Sequence, residues 1–132
     1  MTQFTVLSFL IKKFYRVSDM KIVINQCFGG FGLSDQAIQR YGELARLNLV
    51  SEEGGLFGLT WYLNSVDDKN YFSAYDILRD DPNLIQVVEE LEELSWGPYS
   101  ELTIVEIPDD VKWTIESYDG NEHVAECHRT WC

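Results

Sequence analysis

The order of apolar and polar residues predicts a strand, a glycine-rich loop and a helix early in the chain. Residues 21–25 form a short run rich in β-branched side chains, which is typical of a buried strand. Gly29, Gly30 and Gly32 interrupt this run, and Ser34 is a favoured helix N-cap. Helical spacing then places these side chains on one stripe: Ala37, Ile38, Tyr41, Leu44, Ala45 and Asn48.

A second helix is predicted from residue 82 onward. Asp81 is a suitable N-cap, and Pro82 is a common first helical residue. One face of this helix collects the apolar side chains Leu84, Val87, Val88, Leu91 and Leu94. The other side carries the acids Glu89, Glu90, Glu92 and Glu93. Such a charge run is most often a solvated face, and a recognition surface is the alternative interpretation.

Five further segments have the alternation or the β-branched content of strands, namely 59–63, 71–77, 102–107, 111–118 and 122–127. Asp119 and Gly120, between the last two segments, are a tight-turn signal. The whole pattern predicts an α/β fold of the α+β type. In this fold a small mixed sheet of about four to six strands packs with two main helices.

Length and composition favour a single domain. The 132 residues are 45% hydrophobic and 14% aromatic, which is enough material for one core. Residues 1–19 contain a short apolar run followed by Lys12, Lys13 and Arg16, whereas a signal peptide carries its basic residues first. We expect residues 1–19 to be a non-native or disordered extension, and residues 20–132 to form the domain.

The formal net charge of −12 narrows the range of partners. Repulsion from phosphates disfavours direct nucleic-acid binding, and the same sign disfavours anionic membranes. A protein with a basic surface is the macromolecule that this charge favours. The candidate partner contacts are acidic residues of the second helix and of a later turn: Glu89, Glu90, Glu92, Glu93, Asp109 and Asp110. Aromatic residues between 57 and 75 also leave a homo-oligomer open.

The glycine-rich loop is the candidate site for a small ligand such as a nucleotide. A strand, a glycine turn and a helix N-terminus in succession present free N–H groups to an anion. The specific templates do not match, because Leu33 replaces the Walker A lysine and Asp35 replaces a glycine of the dinucleotide fingerprint. The candidate ligand contacts are Asn25, Cys27, Phe28, Gly29, Gly30, Phe31, Gly32, Ser34, Arg79, Arg129 and Trp131.

Cysteine and histidine residues support weaker hypotheses. Cys27, Cys127 and Cys132 are too few for a disulfide framework and fit a reducing compartment. Cys27 is a candidate nucleophile with His123 or His128 as base, although a lone cysteine beside aromatic residues is more often a small buried apolar residue. The last two cysteines and both histidines have metal-ligand chemistry, but a strand would hold His123 and Cys127 about 13 Å apart. We therefore predict no metal and no cofactor.

Several motifs of this chain resemble those of a family of short, functionally uncharacterised proteins of tailed bacteriophages and prophages. They are KIVIN at 21–25, CFGGFGLS at 27–34, RDDP at 79–82, VVEEL at 87–91, EIPDDV at 106–111, YDG at 118–120 and HRTW at 128–131. The resemblance covers about residues 20–131. It implies a phage accessory protein that acts in the bacterial cytoplasm, and it supplies no activity or site residues.

Three functions are open at this point. The first is an acidic protein-binding module that inhibits a host defence or nucleic-acid-handling complex. The second is a protein that binds or sequesters a nucleotide signal through the glycine-rich loop. The third is a small enzyme with Cys27 as its nucleophile.

Overall fold

Two α-helices and seven strands are formed by residues 19–54 and 58–127, the part of the chain that the computed structural model describes. In chain order they are β1 (Asp19–Asn25), α1 (Asp35–Ala45), β2 (Leu49–Glu53), β3 (Leu59–Leu63), β4 (Tyr71–Phe72), α2 (Pro82–Leu91), β5 (Leu102–Pro108), β6 (Trp113–Tyr118) and β7 (Asn121–Glu126). Short 3₁₀ turns lie at Asp68–Asn70, Ala74–Asp76 and Glu92–Ser95. Neither helix in these residues is long and apolar enough to cross a membrane.

The strands belong to three antiparallel sheets. β1 pairs with β5, while β2, β3 and β4 form a second sheet in that order. β6 and β7 form a hairpin. The predicted α+β class with two main helices is confirmed. In the β2–β3–β4 sheet and the β6–β7 hairpin, short connections join sequence neighbours in antiparallel pairs, whereas β1 and β5 come together from distant parts of the chain.

The N-terminal end of α1 has the predicted cap. The Ser34 side chain accepts a hydrogen bond from the Ala37 N–H, which satisfies one of the free donors of the first turn. The helix ends earlier than its apolar stripe suggests, because Arg46 adopts a left-handed conformation with φ of 58°. Asn48, which we placed on the stripe, therefore lies beyond the helix and is exposed.

Helix α2 begins as predicted and ends abruptly. Asp81 caps it through the Asn83 N–H and also accepts a 2.7 Å hydrogen bond from the Tyr41 hydroxyl, which joins the two helices. Burial and this bond raise the pKa of Tyr41 to about 12. Glu92 has φ of 51°, so the helix gives way to a 3₁₀ turn. Leu94, which we placed on the apolar face of this helix, therefore lies beyond its end and is 62% exposed.

The core lies between the helices, β1 and the β2–β3–β4 sheet. Its buried members are Val23, Phe31, Leu33, Ala37, Ile38, Tyr41, Trp61, Ile77, Leu84, Val87, Val88 and Leu102. Helix α2 packs against β1 and β5, and α1 packs against α2. This arrangement covers one face of the β1–β5 sheet and positions the glycine-rich loop at its end.

The middle of the chain departs most from the predicted pattern. Residues 71–77 are strand only at Tyr71–Phe72, because the Ser73 side chain caps a following 3₁₀ turn through the Tyr75 N–H. Strand β2, Leu49–Glu53, has no counterpart in the predictions. The expected extension at residues 1–19 lies outside the described residues except for Asp19, which opens β1.

Candidate functional site

The glycine-rich loop, residues 26–33, packs directly against the turn of the β6–β7 hairpin. Gly29 and Gly30 have φ of 130° and 109°, a conformation that favours glycine. The Gly29 N–H donates a 3.0 Å hydrogen bond to the Asp119 carbonyl. A Cβ atom on Gly120 would collide with the backbone of Gly30. The loop therefore holds another part of the same chain in close backbone contact.

Arg79 lies beside this loop and is already paired. Its guanidinium makes two hydrogen bonds to the Glu122 carboxylate, of 2.7 and 2.9 Å, and one of 3.2 Å to the Val23 carbonyl. The same group lies 3.6 Å above the centre of the Phe31 ring. The Arg79 and Glu122 side chains are only 14% and 9% exposed. The positive charge that we expected to face a ligand is thus neutralised inside the protein.

Asn25 completes what we call the loop cluster, defined as Asn25, Phe31, Arg79 and Glu122. Its side-chain amide donates to the carbonyls of Cys27 and Gly120, each at 2.7 Å. Its side-chain oxygen accepts from the Glu101 N–H, and its backbone N–H donates to Glu122. The residue is fully buried, so these bonds satisfy polar groups that water cannot reach.

The N-terminus of α1 is also engaged within the chain. The Ser34 hydroxyl donates to the Leu94 carbonyl while it caps the helix. Asp35 stands in the first turn, and its carboxylate accepts from the Trp61 indole N–H at 2.9 Å. A carboxylate at this position offsets the positive end of the helix dipole. These contacts disfavour a second anion at the loop.

The other ligand candidates are dispersed. Phe28 is 61% exposed and meets Tyr118 edge-on, while Gly32 faces Gly97 across a close backbone contact. Cys27 is partly buried, and its thiol contacts the Phe28 carbonyl at 3.4 Å. Arg129 and Trp131 lie outside the described residues. The structure therefore brings Asn25, Phe31 and Arg79 together around Glu122, a residue that the sequence did not single out.

The histidine and cysteine hypotheses find little geometry to support them. His123 Nε2 lies 3.1 Å from Glu116 on the exposed side of the hairpin. Residues 121–126 form a strand, as the spacing argument assumed, and Cys127 follows it at an exposed position. His128 and Cys132 are not among the described residues, and within those residues no three potential ligands are grouped.

The acids at the end of α2 and in the 3₁₀ turn that follows it fall into two groups. Glu90 accepts a bidentate pair of hydrogen bonds from Arg40, of 2.8 and 3.1 Å, and these bonds lower the pKa of Glu90 to about 2. Glu89 accepts a 2.7 Å hydrogen bond from Lys21, and this bond raises the pKa of the lysine. Glu92 and Glu93 form no ion pair with any residue over 19–54 and 58–127.

A groove separates the end of α2 from β5, with a volume of about 450 Å³. We call it the acidic groove, and its lining residues are Val88, Glu89, Glu92, Glu93, Trp96, Leu102, Thr103 and Ile104. Val88 and Leu102 are buried at its base, while Trp96 and Ile104 are partly exposed. The groove thus has an apolar floor and a rim with three carboxylates. Asp109 and Asp110 lie beyond the far end of β5, outside this lining.

The apolar floor and its position beside β5 were missed by sequence reasoning. Trp96 follows the acidic run and stands next to a Gly-Pro pair, so a large side chain at the end of a helix was the available signal. The sequence pattern of residues 102–107 predicts that Leu102 and Ile104 lie in a strand. It does not show which element covers that strand, because the neighbours come from distant parts of the chain.

No family model, curated protein or solved structure matches this chain.

Proposed function

We propose that this chain is a bacteriophage accessory protein that acts in the bacterial cytoplasm as an acidic protein-binding module. Its partner is a basic surface of a host defence or nucleic-acid-handling complex, which it inhibits by covering that surface. The acidic groove is the contact site. The observation that carries the proposal is the combination of an apolar floor with two rim carboxylates, Glu92 and Glu93, that have no ion pair among the residues the structure describes.

The groove suits a basic partner for two reasons. Lysine and arginine have apolar stems that can pack on Trp96 and Ile104 while their charged ends reach the rim. Glu92 and Glu93 have no cation to release first within the described residues, so binding costs no internal ion pair. Charge of one sign around such a site also accelerates encounter with an oppositely charged partner.

The loop cluster is the weaker candidate for binding. Arg79 would have to give up Glu122 before it received an anion, and that exchange would expose a buried carboxylate. The acidic groove requires no such exchange. This contrast favours a protein-binding function over nucleotide binding.

Capture from a bacterial host lysate, followed by binding measurements on the purified captured protein, tests the proposal. We expect binding to weaken at least tenfold between 50 and 300 mM salt, because screening shortens the reach of exposed charges, from a Debye length of about 14 Å to about 6 Å. The double variant Glu92→Gln, Glu93→Gln should lose most of the affinity. The matched control Glu52→Gln, Glu53→Gln removes two exposed acids outside the groove and should keep it. Equal losses in both variants would reject the groove as the site.

A further inference from the structure

The outer edge of β5, which is the edge away from β1, borders the acidic groove. The pairing of β5 with β1 shows which backbone N–H and C=O groups point to this edge. The N–H groups of Val23 and Asn25 donate to Arg79 and Glu122, away from β5. In an antiparallel pair, opposite residues direct their polar groups the same way, either both toward or both away from the partner. The residues opposite Val23 and Asn25 are Ile104 and Leu102. Both therefore direct their N–H and C=O groups to the outer edge. Because this direction alternates along a strand, Glu106 directs its groups to the same edge.

This edge has no strand partner in the described part of the chain. Within these residues β5 pairs only with β1, and the N–H groups of Leu102, Ile104 and Glu106 donate no hydrogen bond. Pro108 has no N–H, so the row of donors ends at Glu106. A row of backbone donors without strand partners is a template for a further strand.

The side chains beside this row face the groove. Leu102 and Ile104 share the face of the β1–β5 sheet that carries Val23, and this face packs against α2. A strand added to the outer edge would place every second side chain over Val88 and Trp96, below the rim carboxylates. The outer edge of β5 and the acidic groove thus form one continuous surface.

We propose that the acidic groove binds an extended basic segment of the partner, which adds as a strand to the outer edge of β5. This inference rests on the proposed function and specifies the form of the partner. The segment carries lysine or arginine at alternate positions, because only alternate side chains reach the rim. About five residues are enough to pair with the three donors, since they alternate along β5.

Hydrogen exchange resolved by residue tests strand addition, with a ten-residue peptide of alternating lysine and valine as the probe. The amides of Thr103, Val105 and Ile107 face β1 and should be protected with or without peptide. The amides of Leu102, Ile104 and Glu106 should exchange quickly in the free protein and at least tenfold more slowly at saturating peptide. This period-two gain is specific to backbone pairing.

Two peptide variants provide the matched control. N-methylation of all lysines and N-methylation of all valines block opposite edges of the same extended peptide. One of them should weaken binding about tenfold or more, through the loss of two or three hydrogen bonds, and the other should bind nearly as the parent. Equal effects of the two methylations would overturn strand addition.

A protein variant tests the same contact from the other side. Glu106→Pro removes one outward N–H without touching the β1 ladder, and proline is tolerated on such an edge. Compared with Glu106→Gln, which removes only the charge, it should weaken peptide binding about threefold or more. If Glu106→Pro fails to fold, the exchange and methylation results decide alone.

The outcomes separate the two proposals. Peptide binding that depends on Glu92 and Glu93 but gives no period-two protection rejects strand addition and leaves the acidic module standing. If a second copy of this chain occupies the outer edge of β5 in place of the peptide, sedimentation will show dimers. That result also overturns the inference. No measurable binding of any basic peptide, at 50 mM salt, rejects both.

Discussion

The loop cluster and the acidic groove differ in how far their polar groups are paired within the chain. Around Asn25 and Arg79, donors and acceptors from four segments of the chain satisfy one another almost completely. Along the acidic groove, two carboxylates and a row of backbone donors have no partner among the described residues. The loop cluster contains the residue types expected of a ligand site. The acidic groove contains the polar groups that are still able to form hydrogen bonds or ion pairs with a partner.

This difference shows why residue type alone is a poor guide to binding. A glycine turn before a helix has the composition of an anion site, but here the Asp119 carbonyl accepts from the Gly29 N–H and the Ser34 side chain accepts from the Ala37 N–H. A run of glutamates has the composition of a solvated surface, but here it borders apolar side chains and an open strand edge. What distinguishes a structural cluster from a site is whether its groups are already paired.

The largest expected effect on stability comes from a variant that disrupts the loop cluster. Glu122→Ala leaves the buried Arg79 charge and the Asn25 N–H without their acceptor, and we expect a loss of about 3–5 kcal/mol in the free energy of unfolding. Urea denaturation measures it. Glu126→Ala, an exposed position on the same strand, is the control and should change stability by less than about 0.5 kcal/mol. Similar small losses in both variants would contradict a structural role for the cluster.

A second, smaller effect concerns the backbone contact between the loop and the hairpin turn. Gly120 has φ of 85° and lies against the Gly30 backbone, so Gly120→Ala should cost about 1–3 kcal/mol. At Gly32 an added Cβ meets its nearest neighbour at 4.0 Å, so Gly32→Ala should cost much less. Thermal unfolding of the two variants compares them directly. The reverse order of stability would show that the turn does not dock on the loop as described.

The pH dependence of stability tests the ion pair between Glu90 on α2 and Arg40 on α1. Arg40 holds the pKa of Glu90 at about 2, below its ordinary value of 4.5. A lowered pKa in the folded protein means that the pair contributes stability above pH 4.5 and loses it as the pH falls toward 2. Thermal midpoints of Glu90→Gln should therefore fall less over this range than those of the parent. Identical pH profiles would contradict the Arg40–Glu90 pair.

The smallest expected effect is at the rim of the acidic groove. Because Glu92 and Glu93 have no ion pair within the described residues and stand after the C-terminus of α2, their replacement by glutamine should leave stability within about 0.5 kcal/mol. Urea denaturation of the double variant provides the measurement. A loss above about 1 kcal/mol would mean that these carboxylates support the fold and are not free for a partner.

Local signals predicted much of the fold. Ser34 and Asp81 cap helices as expected, because a cap depends on residues within one turn. The Asp119–Gly120 turn joins β6 and β7 for the same reason. The end of α2 escaped prediction, since Glu92 carries a positive φ that no local preference of glutamate favours.

The candidate site was less predictable because it depends on tertiary neighbours. Pairing of Arg79 with Glu122 joins residues 43 positions apart, and the composition of neither segment indicates it. Likewise, the spacing of apolar residues in β5 identifies a strand but not an edge. Charge alone makes the acidic residues candidates, whereas the structure was needed to show that Glu89 and Glu90 are ion-paired and that Glu92 and Glu93 have no ion pair within residues 19–54 and 58–127.

The most direct test of the central claim is an NMR titration of the isotopically labelled protein with the alternating lysine–valine peptide. We expect the largest amide shift changes along the acidic groove, from Val88 to Trp96 and from Leu102 to Glu106, and smaller changes in the Glu92→Gln, Glu93→Gln variant. Shift changes centred on residues 26–33 and on Asp119 and Gly120, with the groove unaffected, would contradict the central claim.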